Sequence, residues 1–356
     1  MNIEKFLEEK APLIDKAIEK YIPRKFTKDS IIFKVNSPMY SYNIEPLNKA
    51  IADPIWDMLD RGGKRWRPAL FLLICEALGK DLDYCLDFSI IPEVVHNGTL
   101  VMDDIEDSSE LRRGKPCTYR IFQTDIAVNA GNAMYYIPLL PLMVQKEKLS
   151  PEVQRDVYEV YVQEMINLSM GQAMDIVWHR GIANADELDE EDYLQMCAYK
   201  TGTLARMAAK IAAVLVGADK PLVEKLGRFA ESIGVAFQMQ DDILDITGVE
   251  FAKKKGGVGQ DITEGKRSLM VIYTLKNASN ADKKRLIEIL NMHTSDQALR
   301  NEAIGLMQKY GAIEHVKRTA ERMVEESWIE AEKLLPTPAA KEKLKAFAEF
   351  LIERNK

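Results

Sequence analysis

Two short segments of the chain repeat one arrangement of carboxylates. Asp103-Asp104-Ile105-Glu106-Asp107 and Asp241-Asp242-Ile243-Leu244-Asp245 both read DDxxD, lie 138 residues apart, and each closes an apolar helical stretch. On a helix, positions i and i+4 share a face, so Asp103 projects with Asp107 and Asp241 with Asp245, with Asp104 and Asp242 alongside. Carboxylates roughly 6 Å apart repel by about 3 kcal/mol at an effective dielectric near 20, a cost that a cation removes. A sparse, oxygen-only donor set suits Mg²⁺, which keeps several waters and is completed by substrate phosphate. An EF-hand does not fit, because the loop spacing fails and Ser108 stands where the turn glycine belongs. One such segment is compatible with a solvated helix face; two copies beside apolar runs point to cation binding.

Basic residues cluster near both motifs. Arg61, Lys64, Arg65 and Arg67 surround Gly62-Gly63; Arg112, Arg113 and Lys115 begin five residues after Asp107; Lys253, Lys254, Lys255, Lys266 and Arg267 follow the second motif. Glycines let backbone N–H groups approach an anion, Lys offers a point charge, and Arg offers a planar fork for phosphate oxygens. Acids and bases interleaved in this way are what a diphosphate with Mg²⁺ demands.

The rest of the composition sets limits. With 356 residues, 47% hydrophobic, 19 Gly and 14 Pro, the chain is neither disordered, collagen-like nor a small disulfide scaffold. Its charge of 48 − 55 = −7 argues against a nucleic-acid or anionic-membrane binder, so an anionic ligand must be held by local Lys and Arg. Cys75, Cys85, Cys117 and Cys197 form no close pair and read as reduced, buried thiols. Glu4, Lys5, Glu8, Glu9 and Lys10 leave no apolar signal-peptide core after the start Met, and a cytoplasmic location is expected. The 20 uncharged residues 126–145 are long enough for a bilayer. Asn129, Asn132, Pro138, Pro141 and Gln145 instead predict a buried core helix and no membrane span.

Helical periodicity dominates. Ile3, Phe6, Leu7, Leu13, Ile14, Ala17, Ile18 and Tyr21 recur at three- and four-residue steps, and similar spacing runs over 153–174, 188–216, 221–244 and from Ala281 onward. No run alternates with period two. Loop signals fall at 23–46, Gly62-Gly63, 114–116, 181–189 and 248–265, and none separates unlike halves. The expectation is an all-α fold with helices around a central catalytic cavity, in one domain over residues 1–356.

With GGKRWRP at 62–68, EVVH at 93–96, DDIEDSSELRRG at 103–114, KTG at 200–202 and FQMQDDILD at 237–245, the sequence resembles the trans-isoprenyl diphosphate synthases over roughly residues 50–280. The resemblance implies the isoprenoid synthase fold, a homodimer, and condensation of isopentenyl diphosphate with an allylic diphosphate. It implies that Asp103, Asp107 and Asp241 carry Mg²⁺, three ions per active site, with Asp104, Asp242 and Asp245 supporting them. Arg112, Lys200, Lys255 and Lys266 then hold the allylic diphosphate; which of Lys253, Lys254 and Lys255 does so stays open, because KKKGGVGQD departs from the usual Gly-Lys spacing. Isopentenyl diphosphate lies against Lys64, Arg67, His96 and Arg113, without metal. Thr201 and Gln238 sit by the developing allylic cation, and Gln172 and Asp175 in GQAMD resemble a further motif facing the metal. The allylic C–O bond ionises, the isopentenyl double bond attacks, and the departed diphosphate takes the proton.

Product length is read one helical turn, about 5.4 Å, before the first motif, since that is about one isoprene unit. Short-chain members block the tube there with an aromatic residue, whereas Gly98 and Thr99 are small. DDIEDSSELRRGKP, NAMYY at 132–136 and GQAMDIVWHR at 171–180 are similar to eukaryotic-type geranylgeranyl diphosphate synthases, where aromatics on the next helix make the floor; Tyr135 and Tyr136 match, with ordinary core packing as the other reading. Ser169 replaces a histidine common beneath the tube. The expected product is C20, the alternatives being a C15 or a C25-and-longer synthase, or a non-catalytic partner subunit. A terpene cyclase or head-to-head enzyme does not need the GGKRWRP segment.

Overall fold

Apolar spacing of three and four residues becomes helix along nearly the whole chain. The computed structural model describes residues 2–35, 37–184, 186–248 and 257–352. The principal helices are α1 (Ile3–Tyr21), α2 (Asp53–Leu59), α3 (Trp66–Ala77), α4 (Ile90–Glu106), α5 (Thr124–Tyr136), α6 (Pro151–His179), α7 (Glu190–Cys197), α8 (Thr203–Leu215), α9 (Lys220–Thr247), α10 (Leu269–Asn277), α11 (Asn280–Asn291), α12 (Gln297–Lys309), α13 (Ala312–Glu332) and α14 (Pro338–Ile352). Among the described residues the strands are β1 (Leu111–Arg112) and β2 (Lys115–Pro116), an antiparallel pair with Arg112 opposite Lys115. The fold is all-α.

Two compact units form. Met1–Val162, Met207–Gly227 and Leu334–Phe347 make the first; Gln163–Arg206, Arg228–Lys333 and Ala348–Lys356 make the second. In the first, Ile14, Ile18, Met58, Phe71, Ile91, Val94 and Phe347 are sealed from solvent. Each such side chain contributes about 1.5–3 kcal/mol by its burial. In the second, Phe229 packs on Trp328 with ring centroids 5.1 Å apart, beside buried Ile233, Met239, Leu286 and Ile289.

Two expectations about helices are corrected. The stretch 126–145 is not one buried helix: α5 stops at Tyr136, a 3₁₀ turn covers Ile137–Leu139, and a short helix covers Leu140–Val144. Pro138 and Pro141 lack the N–H groups that a continuous helix requires, and Tyr136, Met143 and Val144 are exposed. The stretch 188–216 is likewise two helices, α7 and α8, joined by a π turn over Ala198–Gly202. Asp189 and Asp192 form a capping box that starts α7. Among the described residues no helix is long and apolar enough to cross a membrane.

Candidate active site

In the first unit, α4 ends inside the first acidic motif. Asp103 and Asp104 lie in its last turn and Asp107 is its C-cap. The unpaired carbonyls of a helix C-terminus carry negative potential, so three carboxylates there are an electrostatic burden that a cation relieves. Ser108, at φ 53°, then turns the chain out of the helix toward the β1–β2 hairpin. That hairpin returns Arg112, whose Nε and Nη2 donate to Asp104 Oδ1 at 2.7 and 2.5 Å, with Nη2 3.7 Å from Asp103. Asp104 is 1% exposed, and burial pushes its carboxyl above the ordinary value even though Arg112 opposes the shift.

The basic segment between α2 and α3 needs its glycines. Gly62 and Gly63 adopt φ of 84° and 142°, the region that only glycine enters freely. Arg113 donates to the Gly62 carbonyl, and its Nη2 lies 3.3 Å from where a β-carbon on Gly63 would stand. Lys64 is exposed, while Arg67 is buried with its guanidinium 4.4 Å from the centre of the Trp66 ring. Burial and the charges of Arg67, Arg113, Arg112 and Arg65 hold His96 well below its ordinary pKa, so it stays neutral. Arg67 and Arg113 thus act electrostatically on His96, and Lys64 lies three residues before Arg67 in the same segment. Two other cations in this cluster are built into the fold. Arg61 donates to the Arg112 and Pro116 carbonyls at 3.1 and 2.8 Å and to Asp57 at 2.6 Å, clamping the hairpin to α2. Arg65 turns inward.

In the second unit, the π turn carries Lys200 and Thr201. Added β-carbons at Gly171 and Gly234 would run into the Lys200 backbone and the Gly202 Cα, so small residues let α6, the turn and α9 approach. Lys200 Nζ donates to Asp175 Oδ2 at 2.5 Å. Thr201 Oγ1 donates to Gln238 Oε1 at 3.1 Å, and Gln238 Nε2 donates to Asp242 Oδ1 at 2.9 Å. The other oxygen of Asp242 accepts from the Tyr193 hydroxyl at 2.8 Å. Burial, followed by the Asp261 carboxylate, pushes Asp242 up to about 7. Asp245 is 1% exposed and accepts from the Asp261 amide at 3.1 Å, while Asp241 is half-buried. Lys266 pairs with Glu264 at 2.5 Å and lies 3.5 Å from Asp261; Arg267 is taken up by Asp186, Asn291 and the Gly265 carbonyl. The run Lys253-Lys254-Lys255 lies outside the described residues. Asp261 closes the KKKGGVGQD run, whereas Tyr193 belongs to no motif; it sits seven positions before Lys200, two helical turns, which is the signal that finds it.

The family model for polyprenyl synthetases matches residues 48–307. A short chain isoprenyl diphosphate synthase from Methanothermobacter thermautotrophicus is 33% identical over 84% of this chain and 88% of its own length. A geranylgeranyl pyrophosphate synthase from Neocamarosporium betae is 30% identical over 78% of this chain and 76% of its own. The chain belongs to the polyprenyl synthetase family. Among solved structures, a geranylgeranyl pyrophosphate synthetase from Pyrococcus horikoshii superposes with a TM-score of 0.83 at 30% identity, covering 99% of this chain and all of that one. As a polyprenyl synthetase the protein is a prenyltransferase.

The acidic residues of this polyprenyl synthetase suit a hard, oxygen-seeking cation, since each motif offers carboxylates alone. Among the described residues no group of three or more His, Cys, Asp or Glu side chains is placed to hold a metal ion by itself. A cation held by these carboxylates would need its remaining ligands from water or phosphate, as Mg²⁺ does.

The residues read for product length differ in placement. Gly98 is buried at the crossing of α4 and α5, where an added β-carbon would stand 2.9 Å from Met134 Cβ and 3.1 Å from the Tyr135 ring. Close helix packing therefore accounts for a glycine there, independently of product length. Thr99 is half-buried, its hydroxyl bonded to the His96 carbonyl at 2.7 Å. Burial, then the charges of Glu106 and Asp103, push the Tyr135 hydroxyl up, and Tyr161 donates to the Tyr135 carbonyl where α5 gives way to the 3₁₀ turn. Tyr136 is 70% exposed, and Ser169 is exposed with its hydroxyl turned back onto the Met165 carbonyl at 3.0 Å.

Proposed function

We propose that this polyprenyl synthetase condenses isopentenyl diphosphate with allylic diphosphates in a Mg²⁺-dependent reaction that ends at geranylgeranyl diphosphate, C20. The observation that supports the reading is the pairing, in one unit, of two unlike clusters: arginines whose charges act on neutral His96 and, on the same helix, the carboxylates Asp103 and Asp107. A reaction with two diphosphate substrates needs both kinds.

In this reading Lys64, Arg67 and Arg113 bind isopentenyl diphosphate by charge, and neutral His96 donates an N–H to it. Arg112, Lys200, Lys266 and one of Lys253–Lys255 bind the allylic diphosphate. Asp103, Asp104, Asp107, Asp241, Asp242 and Asp245 hold Mg²⁺, three ions per site, which when bound draws charge from the departing diphosphate. Thr201 gives its proton to Gln238, so its oxygen lone pairs are presented to the positive allylic carbon. The departing diphosphate takes the proton lost after carbon–carbon bond formation. Residues 1–356 act as one catalytic domain, and the enzyme works as a cytoplasmic homodimer; the homodimer rests on the resemblance in sequence.

Incubating the purified protein with Mg²⁺, isopentenyl diphosphate and C5, C10 or C15 allylic diphosphate, then sizing the products, is expected to give C20 from every starter. No product from any starter sinks the reading in favour of a partner subunit. A longer product is the second reading, since exposed Tyr136 leaves Tyr135 as the member of the pair packed on α4. Tyr135→Ala is expected to lengthen the product; an unchanged C20 product in that variant removes Tyr135 as a floor.

A further inference from the structure

Arg65 ends the glycine turn in the left-handed region at φ 49°. A long side chain stays in that region where surrounding contacts over-determine it. Here its guanidinium ties three helices together. Nε donates to Asp15 of α1 at 2.8 Å, Nη1 to Glu93 of α4 at 2.8 Å, and Nη2 to the Leu59 carbonyl at the end of α2 at 2.9 Å. Arg65 and Glu93 are 5% and 3% exposed, and Glu93 is held further by Asn97 Nδ2 at 3.0 Å. With all three of its nitrogens donating to groups of the fold, this guanidinium is committed to holding helices together rather than to a phosphate. The residues assigned to isopentenyl diphosphate under the proposed function lie beside it: Lys64 precedes it, Arg67 follows two residues on, and Glu93 sits one helical turn before His96.

We propose that Arg65 and Glu93 are a positioning pair, a joint that fixes the segment bearing Lys64 and Arg67 against the helix bearing His96 and so sets the affinity for isopentenyl diphosphate. The proposal rests on the reading that those residues hold isopentenyl diphosphate. The joint requires a guanidinium, because donors fixed in a plane reach three acceptors on separate elements, whereas the ammonium of a lysine sits at one point.

The test compares the full-length protein with Arg65→Lys, Glu93→Gln and the double variant Arg65→Leu/Glu93→Leu. The double variant removes the two buried charges together and leaves only the half-exposed Asp15 without its partner, so the fold is expected to be kept; circular dichroism and a melting curve check this. Isopentenyl diphosphate affinity is measured by calorimetry, and KM is measured for each substrate. Expected is a rise of about tenfold or more in Kd and KM for isopentenyl diphosphate in Arg65→Lys and in the double variant. KM for the allylic diphosphate is expected to move by less than about threefold. A folded double variant with wild-type isopentenyl diphosphate affinity overturns the proposal, as does an equal rise in KM for both substrates. Calorimetry needs no turnover, so a wild-type protein that binds isopentenyl diphosphate but makes no product refutes the functional reading while the affinities still decide the role of the pair.

Discussion

The two acidic motifs share one spacing and sit in different electrostatic settings. In the first, buried Asp104 is met by the Arg112 guanidinium, delivered by a hairpin a few residues downstream. In the second, buried Asp242 is met by the neutral donors Tyr193 and Gln238, with Asp261 adding negative charge. Uncharged donors satisfy the lone pairs of a carboxylate without cancelling its charge, so Asp242, with Lys266 opposing only part of the shift, holds a proton far more readily than an ordinary carboxylate. Identical patterns in sequence therefore do different electrostatic work.

The comparison can be broken most directly at the carboxylates that both motifs present for metal. Asp103→Ala and Asp241→Ala should each lower Mg²⁺-dependent kcat by about 10²–10³-fold or more; near-wild-type turnover in either removes that motif from the metal assignment. Next in size are the partners of the middle carboxylates. Arg112→Met strands a buried charge and should cost about 3 kcal/mol or more in a denaturant titration. Tyr193→Phe removes one hydrogen bond from a carboxylate and should cost about 1–3 kcal/mol. Equal losses would erase the distinction drawn between the motifs.

A third effect is a pH slope. Asp242 has its carboxyl raised from 3.8 to about 7, so it binds a proton more tightly in the folded state than in the unfolded chain. The stability linked to that proton is present below about pH 4 and is lost as the pH rises through about 7. Melting of the metal-free protein should therefore fall across that range, and Asp242→Asn should flatten the fall. A slope unchanged in Asp242→Asn assigns it to other groups. Smallest is the expected rise, by a few fold, in the Mg²⁺ concentration needed for half-maximal rate in Tyr193→Phe, as a carboxylate loses the partner that orients it; an unaltered requirement would limit Tyr193 to a structural part.

Much of this was legible in the residue order. The i, i+4 spacing of Asp103 with Asp107 and of Asp241 with Asp245 follows from helix geometry alone, and apolar periodicity dictates the helices that carry them. The glycines at 62 and 63 likewise announce a turn that an anion-binding segment needs. The bases were less legible. Arg61 and Arg65 are indistinguishable in sequence from Lys64 and Arg67, and only the positions of the Pro116 carbonyl, Asp15 and Glu93 show that the first two hold the fold. Gly98 reads as an open position, and its neighbours on α5 give the smallness another cause.

What the sequence by itself determined is the all-α class, the family, and the placing of carboxylates and cations in local clusters, because helical periodicity and motif spacing are short-range properties. What only the tertiary structure decided is which charges are spent inside the protein. A guanidinium aimed at a carboxylate from a distant helix is satisfied internally, while a lysine one residue away remains exposed, and that difference is set by packing between elements far apart in the chain.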